Sequence, residues 1–210
     1  MGLRIGLLSL LVLCIATIPS MADTVYDNGP INGTTDGWTI NFGFVVSDTF
    51  IIGSGGATVD GLVLGAWLYP TDILRSAEVS ITSSEFGGTT YFDGTVNFTQ
   101  SDCTRNQNGY DVCVETGTFP AVNLGVGTYW LNLQNALAEG MDDPVYWDEN
   151  SGPSQASQNS LGTIPSESFT LLGTANSATT STGTTPEPSS VMLFGSGMLG
   201  LAAVLRSKLF

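Results

Sequence analysis

Short runs in which apolar and polar residues alternate, each closed by Gly, Asn, Asp or Pro, recur through most of this 210-residue chain. Such a pattern leaves little room for anything but antiparallel sheet. Between Trp38 and Val46, the residues Ile40, Phe42 and Phe44 share one face. Val79 and Ile81 alternate with Glu78, Ser80 and Thr82, and Val96 and Phe98 with Thr95, Asn97 and Thr99. Tyr110, Val112 and Val114 alternate with Asp111, Cys113 and Glu115, which places Glu78 and Glu115 on outward faces. Tyr129, Leu131 and Leu133 alternate with Trp130, Asn132 and Gln134, and Phe169 with Leu171 closes the series. The stretch from Leu62 to Tyr69 is apolar on both faces and reads as a central, doubly covered strand containing Trp67. Helix is expected only as a turn or two from Leu133 to Met141, ended by Gly140. About eight to ten short strands predict an all-β domain over residues 23–174, an antiparallel β-sandwich of jelly-roll type.

The two ends differ in kind from this middle. Arg4 precedes an almost wholly apolar run from Ile5 to Ile18, then Pro19, with small residues at Ser20 and Ala22. A basic head, a short apolar core and small residues before the cut form a signal peptide, residues 1–22, cleaved after Ala22 by signal peptidase. Cys14 follows Leu13, not a small residue, which disfavours lipidation there. Residues 175–185 are a Ser/Thr-rich linker with nothing to bury. Then come Pro186, Glu187 and Pro188, an uncharged stretch over residues 189–205, and a basic end, residues 206–210, carrying Arg206 and Lys208. The uncharged stretch reads as a transmembrane helix at the lower length limit, its basic end held in the cytoplasm. The prolines keep the motif extended and accessible to a protease. The rival readings are a permanent single-span anchor and a lipid-anchor signal, which normally lacks a basic end.

In this order the three parts of residues 186–210 resemble the PEP-CTERM sorting signal of Gram-negative bacteria. The resemblance implies processing by an exosortase in the inner membrane, transient residence there through the C-terminal helix, delivery to the cell surface, and association with exopolysaccharide. The middle is also diffusely similar to β-sandwich domains that precede this signal. That likeness names no activity.

Charge and chemistry narrow the rest. Between the two ends, eighteen carboxylates face only Arg75 and Arg105. Such a surface repels phosphate backbones, so nucleic acid is excluded as a partner. Cys103 and Cys113 are the two cysteines left after signal removal, and in an exported chain they read as a disulfide stapling a hairpin whose tip is Asn106-Gln107-Asn108-Gly109. The chain contains no histidine, which removes imidazole acid–base work, His-ligated zinc and Ser-His or Cys-His catalysis. A pair of carboxylates is the remaining route to an enzyme, a secreted glycan hydrolase, and none of the acids is marked out for it. No enzymatic activity is therefore expected.

Two binding chemistries remain. Asp142, Asp143, Asp148, Glu149 and Asn150 lie within one acidic segment with Pro and Gly turns, an oxygen-rich set of the kind calcium takes. The alternative is an acidic surface loop pinned to the core by Trp147. Trp130, Tyr146 and Trp147 are the candidate sugar-stacking residues, with Trp130 best placed, opposite core-directed neighbours and beside Asn132 and Gln134. The expected function is that of a non-catalytic, exported cell-surface or matrix protein. A carbohydrate-binding module with a structural calcium ion is the second reading.

Overall fold

The computed structural model describes residues 23–140 and 143–176. The signal peptide, most of the linker and the sorting segment lie outside the described residues, as does Asp142.

Thirteen strands form one antiparallel sheet, and the described residues contain no helix. In chain order they are β1 (Asp23–Asp27), β2 (Gly37–Thr39), β3 (Val45–Ile52), β4 (Ala57–Leu68), β5 (Leu74–Ser84), β6 (Gly87–Arg105) and β7 (Asp111–Leu124). They continue as β8 (Gly127–Ala138), β9 (Tyr146–Asn150), β10 (Ala156–Gln158), β11 (Gly162–Ile164), β12 (Ser166–Glu167) and β13 (Phe169–Ala175). The main path runs β1-β13-β4-β7-β6-β5-β8-β3-β10-β11, while β9 pairs β2, β4 and β12 at one side.

The all-β, antiparallel expectation holds, but the sheet is not divided as a jelly-roll predicts. The long strand β6 pairs with β5 up to Asn97, then with β7 from Phe98 onward. One strand thus carries the sheet round a curve, giving a curled half-barrel. The curl brings distant strands together across the interior. Phe50 of β3 stacks on Tyr129 of β8 at 5.6 Å and lies 5.9 Å from Tyr26 of β1 and 6.4 Å from Phe169 of β13. Leu62, Leu64, Ile81, Leu131, Leu133 and Trp147 complete the same core. The expected doubly covered strand is β4, buried along nearly its whole length between β13 and β7.

The halves are joined at their open edge by side chains. Asn28 lies just past β1 and is fully buried. Its amide is within hydrogen-bonding reach of Asp48 Oδ2, Ser166 Oγ and the Glu167 carbonyl, while its Oδ1 accepts from Tyr26. Asp48 Oδ2 also accepts the Glu167 backbone N–H at 2.7 Å. The Asn28 and Asp48 side chains are satisfied within this seam, whereas the buried Glu167 carboxylate beside them has no hydrogen-bond partner.

Three local expectations are corrected. The helix expected from Leu133 onward does not form over the described residues 133–140, because β8 runs through Ala138 with neighbours on both sides. No single strand spans Trp38 to Val46: Phe42 (φ 56°) and Gly43 (φ 86°) turn the chain between β2 and β3, leaving Phe42 exposed. The faces of β7 are reversed. Cys113, Glu115 and Gly117 look into the core, while Val112 and Val114 look outward, so Glu115 is buried and not solvated. Glu78 does face outward, where it accepts from Gln134 and Asn135.

Cys103 of β6 and Cys113 of β7 form a disulfide. The hairpin tip is as expected: Asn106 Oδ1 accepts from the N–H groups of Asn108 and Tyr110, and Gly109 takes φ 86°. Replacing Cys103 and Cys113 together by alanine is expected to lower unfolding free energy by about 2–3 kcal/mol, the loop-closure contribution for so short a ring. Urea unfolding of the oxidised wild type and the double variant measures it.

Candidate functional site

Two outer faces offer grooves, one on each limb of the curl. On the limb of β5 and β8, a groove of about 370 Å³ is lined by Ser80, Thr82, Phe86, Thr90, Asn132 and Gln134, among others. This is the face assigned to Trp130, and the indole is half-buried beside it. Its polar groups are already engaged. The Asn132 amide donates to Ser80 and Thr82, its oxygen accepts the Phe86 N–H, and Gln134 donates to Glu78. They clamp the β5–β6 hairpin to the sheet and leave few free donors for a ligand.

On the other limb the segment of residues 28–36 crosses the outer face of β4, β7 and β9 as a strap. Asp148 holds it. One carboxylate oxygen accepts the Asn32 N–H, and the other accepts the Gly33 N–H and the Trp67 indole N–H, all between 2.7 and 2.9 Å. Gly33 sits at φ 63°, and a Cβ there would stand 2.7 Å from the Val112 side chain, so glycine lets the strap lie flat on β7. Gln107 at the hairpin tip donates to the Thr34 carbonyl at 2.9 Å, tying strap to hairpin.

Between strap and hairpin lies a cleft of about 400 Å³. Ile31, Val112 and Val114 give it an apolar floor, and Asn32, Asp102, Arg105 and Gln107 give it polar walls. Outside the cleft lining, and joined to it through the paired backbone of Asn106 and Tyr110, an aromatic cluster forms from Tyr69 just after β4, Tyr110 just before β7, Trp67 of β4 and Tyr146 of β9. Tyr110 stands 5.3 Å from Tyr69, 5.3 Å from Tyr146 and 6.1 Å from Trp67, centroid to centroid. Tyr69 is 41% exposed, while Tyr110 and Tyr146 are half-buried. The Tyr110 hydroxyl beside Tyr69 raises the Tyr69 pKa, and the Tyr146 hydroxyl raises that of Tyr110. The wall amides are engaged, Asn32 with the Glu149 carbonyl and Thr34 and Gln107 with the Thr34 carbonyl, so what this face offers a pyranose ring is its apolar floor and the nearby aromatic cluster.

Of the expected sugar-stacking residues, Tyr146 thus joins the cluster and Trp130 lies on the opposite limb. Trp147 is corrected: it is fully buried against Phe169 and donates to the Ser168 carbonyl, out of reach of any glycan. Its role is the one given by the alternative, pinning the segment to the core.

The described members of the expected calcium set do not converge, and Asp142 lies outside the described residues. Asp148, Glu149 and Asn150 are buried in β9. Asp148 is taken by the strap, Glu149 accepts from the Trp38 indole, and Asn150 donates to the Asn28 carbonyl and accepts from Gly152. Asp143 sits elsewhere, beside Asp72, whose pKa burial and the Asp143 carboxyl both raise. Among the described residues no group of three or more acids or cysteines is placed to hold a metal ion. The described members of the set, Asp143, Asp148, Glu149 and Asn150, are not arranged to share a calcium ion.

Sequence reasoning missed the strap, Tyr110 as a cluster residue, and Asp102. The cluster Asn28, Gly29, Pro30, Asn32 and Gly33 reads correctly as a loop, but nothing in it says which face it covers. Two buried acids were also missed. Glu115 has both oxygens unpartnered, and burial pushes its pKa up to about 8. Glu167 is likewise unpartnered, and burial, then the nearby Asp48 and Glu149, hold its pKa well above the usual range.

No curated protein and no solved structure matches the chain significantly. The PEP-CTERM protein-sorting motif matches residues 184–207, around Pro186, Glu187 and Pro188. The chain is therefore a bearer of the PEP-CTERM sorting motif, a substrate for exosortase processing on its way to the surface of a Gram-negative cell.

Proposed function

We propose that the curled domain is a non-catalytic, glycan-contacting module, presented at the cell surface by its sorting signal and associated there with extracellular polysaccharide. The observation that carries this reading is the aromatic cluster of Tyr69, Tyr110 and Tyr146, linked to the cleft through the bonded backbone of Tyr110 and Asn106. Two features support a binding role over catalysis. The chain has no histidine. The acids whose pKa values are most raised, Glu115 and Glu167, are sealed in the interior and do not line the cleft, so neither is placed to move a proton to a bound sugar.

Affinity electrophoresis in soluble polysaccharides tests it. Tyr110→Ala is expected to weaken retardation by roughly tenfold in apparent Kd, the loss of one aromatic stacking partner. Trp130→Ala, on the other limb, is expected to leave binding unchanged. Equal loss in both variants, or none in Tyr110→Ala, contradicts the assignment of the face. Product release from any glycan contradicts the non-catalytic role.

A further inference from the structure

We propose that the cleft selects glycans bearing free, protonated amino groups, with Asp102 as the residue that reads them. This rests on the glycan-binding reading above and adds the chemical class of the sugar.

Asp102 occupies an unusual backbone position. The β6–β7 register shifts between Ser101 and Thr104, and in this bulge Asp102 takes φ 47°, within the left-handed region. Bulges re-aim side chains, and a non-glycine residue held at positive φ is kept there by its surroundings. Here the surroundings are covalent on one side. Cys103, the next residue, is bonded to Cys113, whose side chain is buried in the core. The bulge is therefore anchored, and it presents Asp102 on the wall of the cleft.

The charge around it is one-sided. Arg105, the cation lining the cleft, is held by Asp111 at 2.9 Å, and the guanidinium keeps the Asp111 carboxyl below its usual range. Arg75, the other basic residue among those described, pairs with Glu139. A uronate polymer would meet here one cation, Arg105, already bonded through Nε to Asp111, and would approach a strongly acidic surface. A neutral glycan gains little from the Asn32 and Gln107 amides, which donate to the Glu149 and Thr34 carbonyls, and it leaves the Asp102 carboxylate without a charged partner. An ammonium group on the sugar supplies one, through a charge-assisted hydrogen bond to this exposed carboxylate.

The test compares three oligosaccharides of equal length by calorimetry on the disulfide-intact protein: a glucosamine oligomer, its N-acetylated counterpart and a galacturonate oligomer. The glucosamine oligomer is expected to bind about tenfold more tightly than the acetylated one, and the galacturonate oligomer not measurably. Asp102→Asn should erase that preference while keeping the weaker binding of the acetylated oligomer. Asp93→Asn, an exposed acid on the other limb, should change nothing. Equal loss in Asp93→Asn would show diffuse attraction to a polyanion and overturn the inference, as would equal affinity for the amino and acetylated oligomers. Binding of none of the three oligomers at millimolar concentration overturns the inference together with the glycan-binding reading on which it rests. Preference for the acetylated oligomer removes this inference alone.

Discussion

Replacing Glu115 by methionine is expected to stabilise the domain at every pH, and by far the most at alkaline pH. Glu115 stands on the core face of β7 opposite Leu64, with no hydrogen-bond partner for either oxygen. Its pKa is pushed to about 8 in the folded protein, against 4.5 as its ordinary value. Between those values the folded state holds a proton that the unfolded chain has lost. Stability therefore falls as pH rises, by about 1.4 kcal/mol per unit, and levels off above the folded pKa. From pH 5 to pH 8 the wild type should lose about 3.5 kcal/mol through this group alone. Methionine fills a similar volume without the buried polar atoms, and so adds a further ~1–3 kcal/mol even at pH 5, where the carboxyl is neutral. Glu115→Gln separates the two effects, because it removes the titration and keeps an unpartnered polar group. Asp48, raised to about 6 by burial, and Glu167 act with the same sign and leave a residual slope in both variants. Urea unfolding at pH 5 and pH 8 decides the matter: identical pH dependence in wild type and Glu115→Met would mean that Glu115 is ionised in the fold.

Glu115 also shows where reading the chain stops short. Alternation gave the correct faces for β5, β6 and β8, because in each the apolar set points to the only dry side. In β7 both sides are covered, the inner by the core and the outer by the strap. Val112 and Val114 could then go outward beneath Ile31 and Gly33, and a disulfide cysteine, a glutamate and a glycine inward. Period two identifies a strand, but a second apolar cover removes its power to say which face is which. The curl was hidden for a related reason. It depends on β6 being long enough to change partners at Asn97, and the alternation of Val96 and Phe98 is the same on either side of that point. Tyr146 was legible as an aromatic outside the core, whereas the cleft was not, since its lining is drawn from the strap, from β6 and the hairpin tip, and from Val112 and Val114 of β7. The sorting signal needed no tertiary structure at all, which is why it was legible from end to end.

The strap makes the second large prediction. Asp148→Ala is expected to cost about 3–5 kcal/mol and to abolish glycan binding, through one and the same loss. Burial raises the Asp148 pKa, while the N–H groups of Asn32, Gly33 and Trp67 oppose that shift. Removing the carboxylate orphans all three donors, each costing about 1–3 kcal/mol when left buried and unpaired. Two of the three belong to the strap, so relief comes from the strap lifting into water. Lifting it removes Ile31 and Asn32 from the cleft and uncovers Trp67. Trp67→Phe is the matched control, since it deletes one donor from the same network and leaves the carboxylate bonded to the strap. It should cost about 1–2 kcal/mol and keep the cleft. Urea unfolding, indole fluorescence and affinity electrophoresis read the three consequences separately. If Asp148→Ala were no less stable than Trp67→Phe, the strap would have to be held by its packing on Val112 and by the Gln107–Thr34 bond. The cleft would then be a property of the hairpin, not of the buried acid behind it.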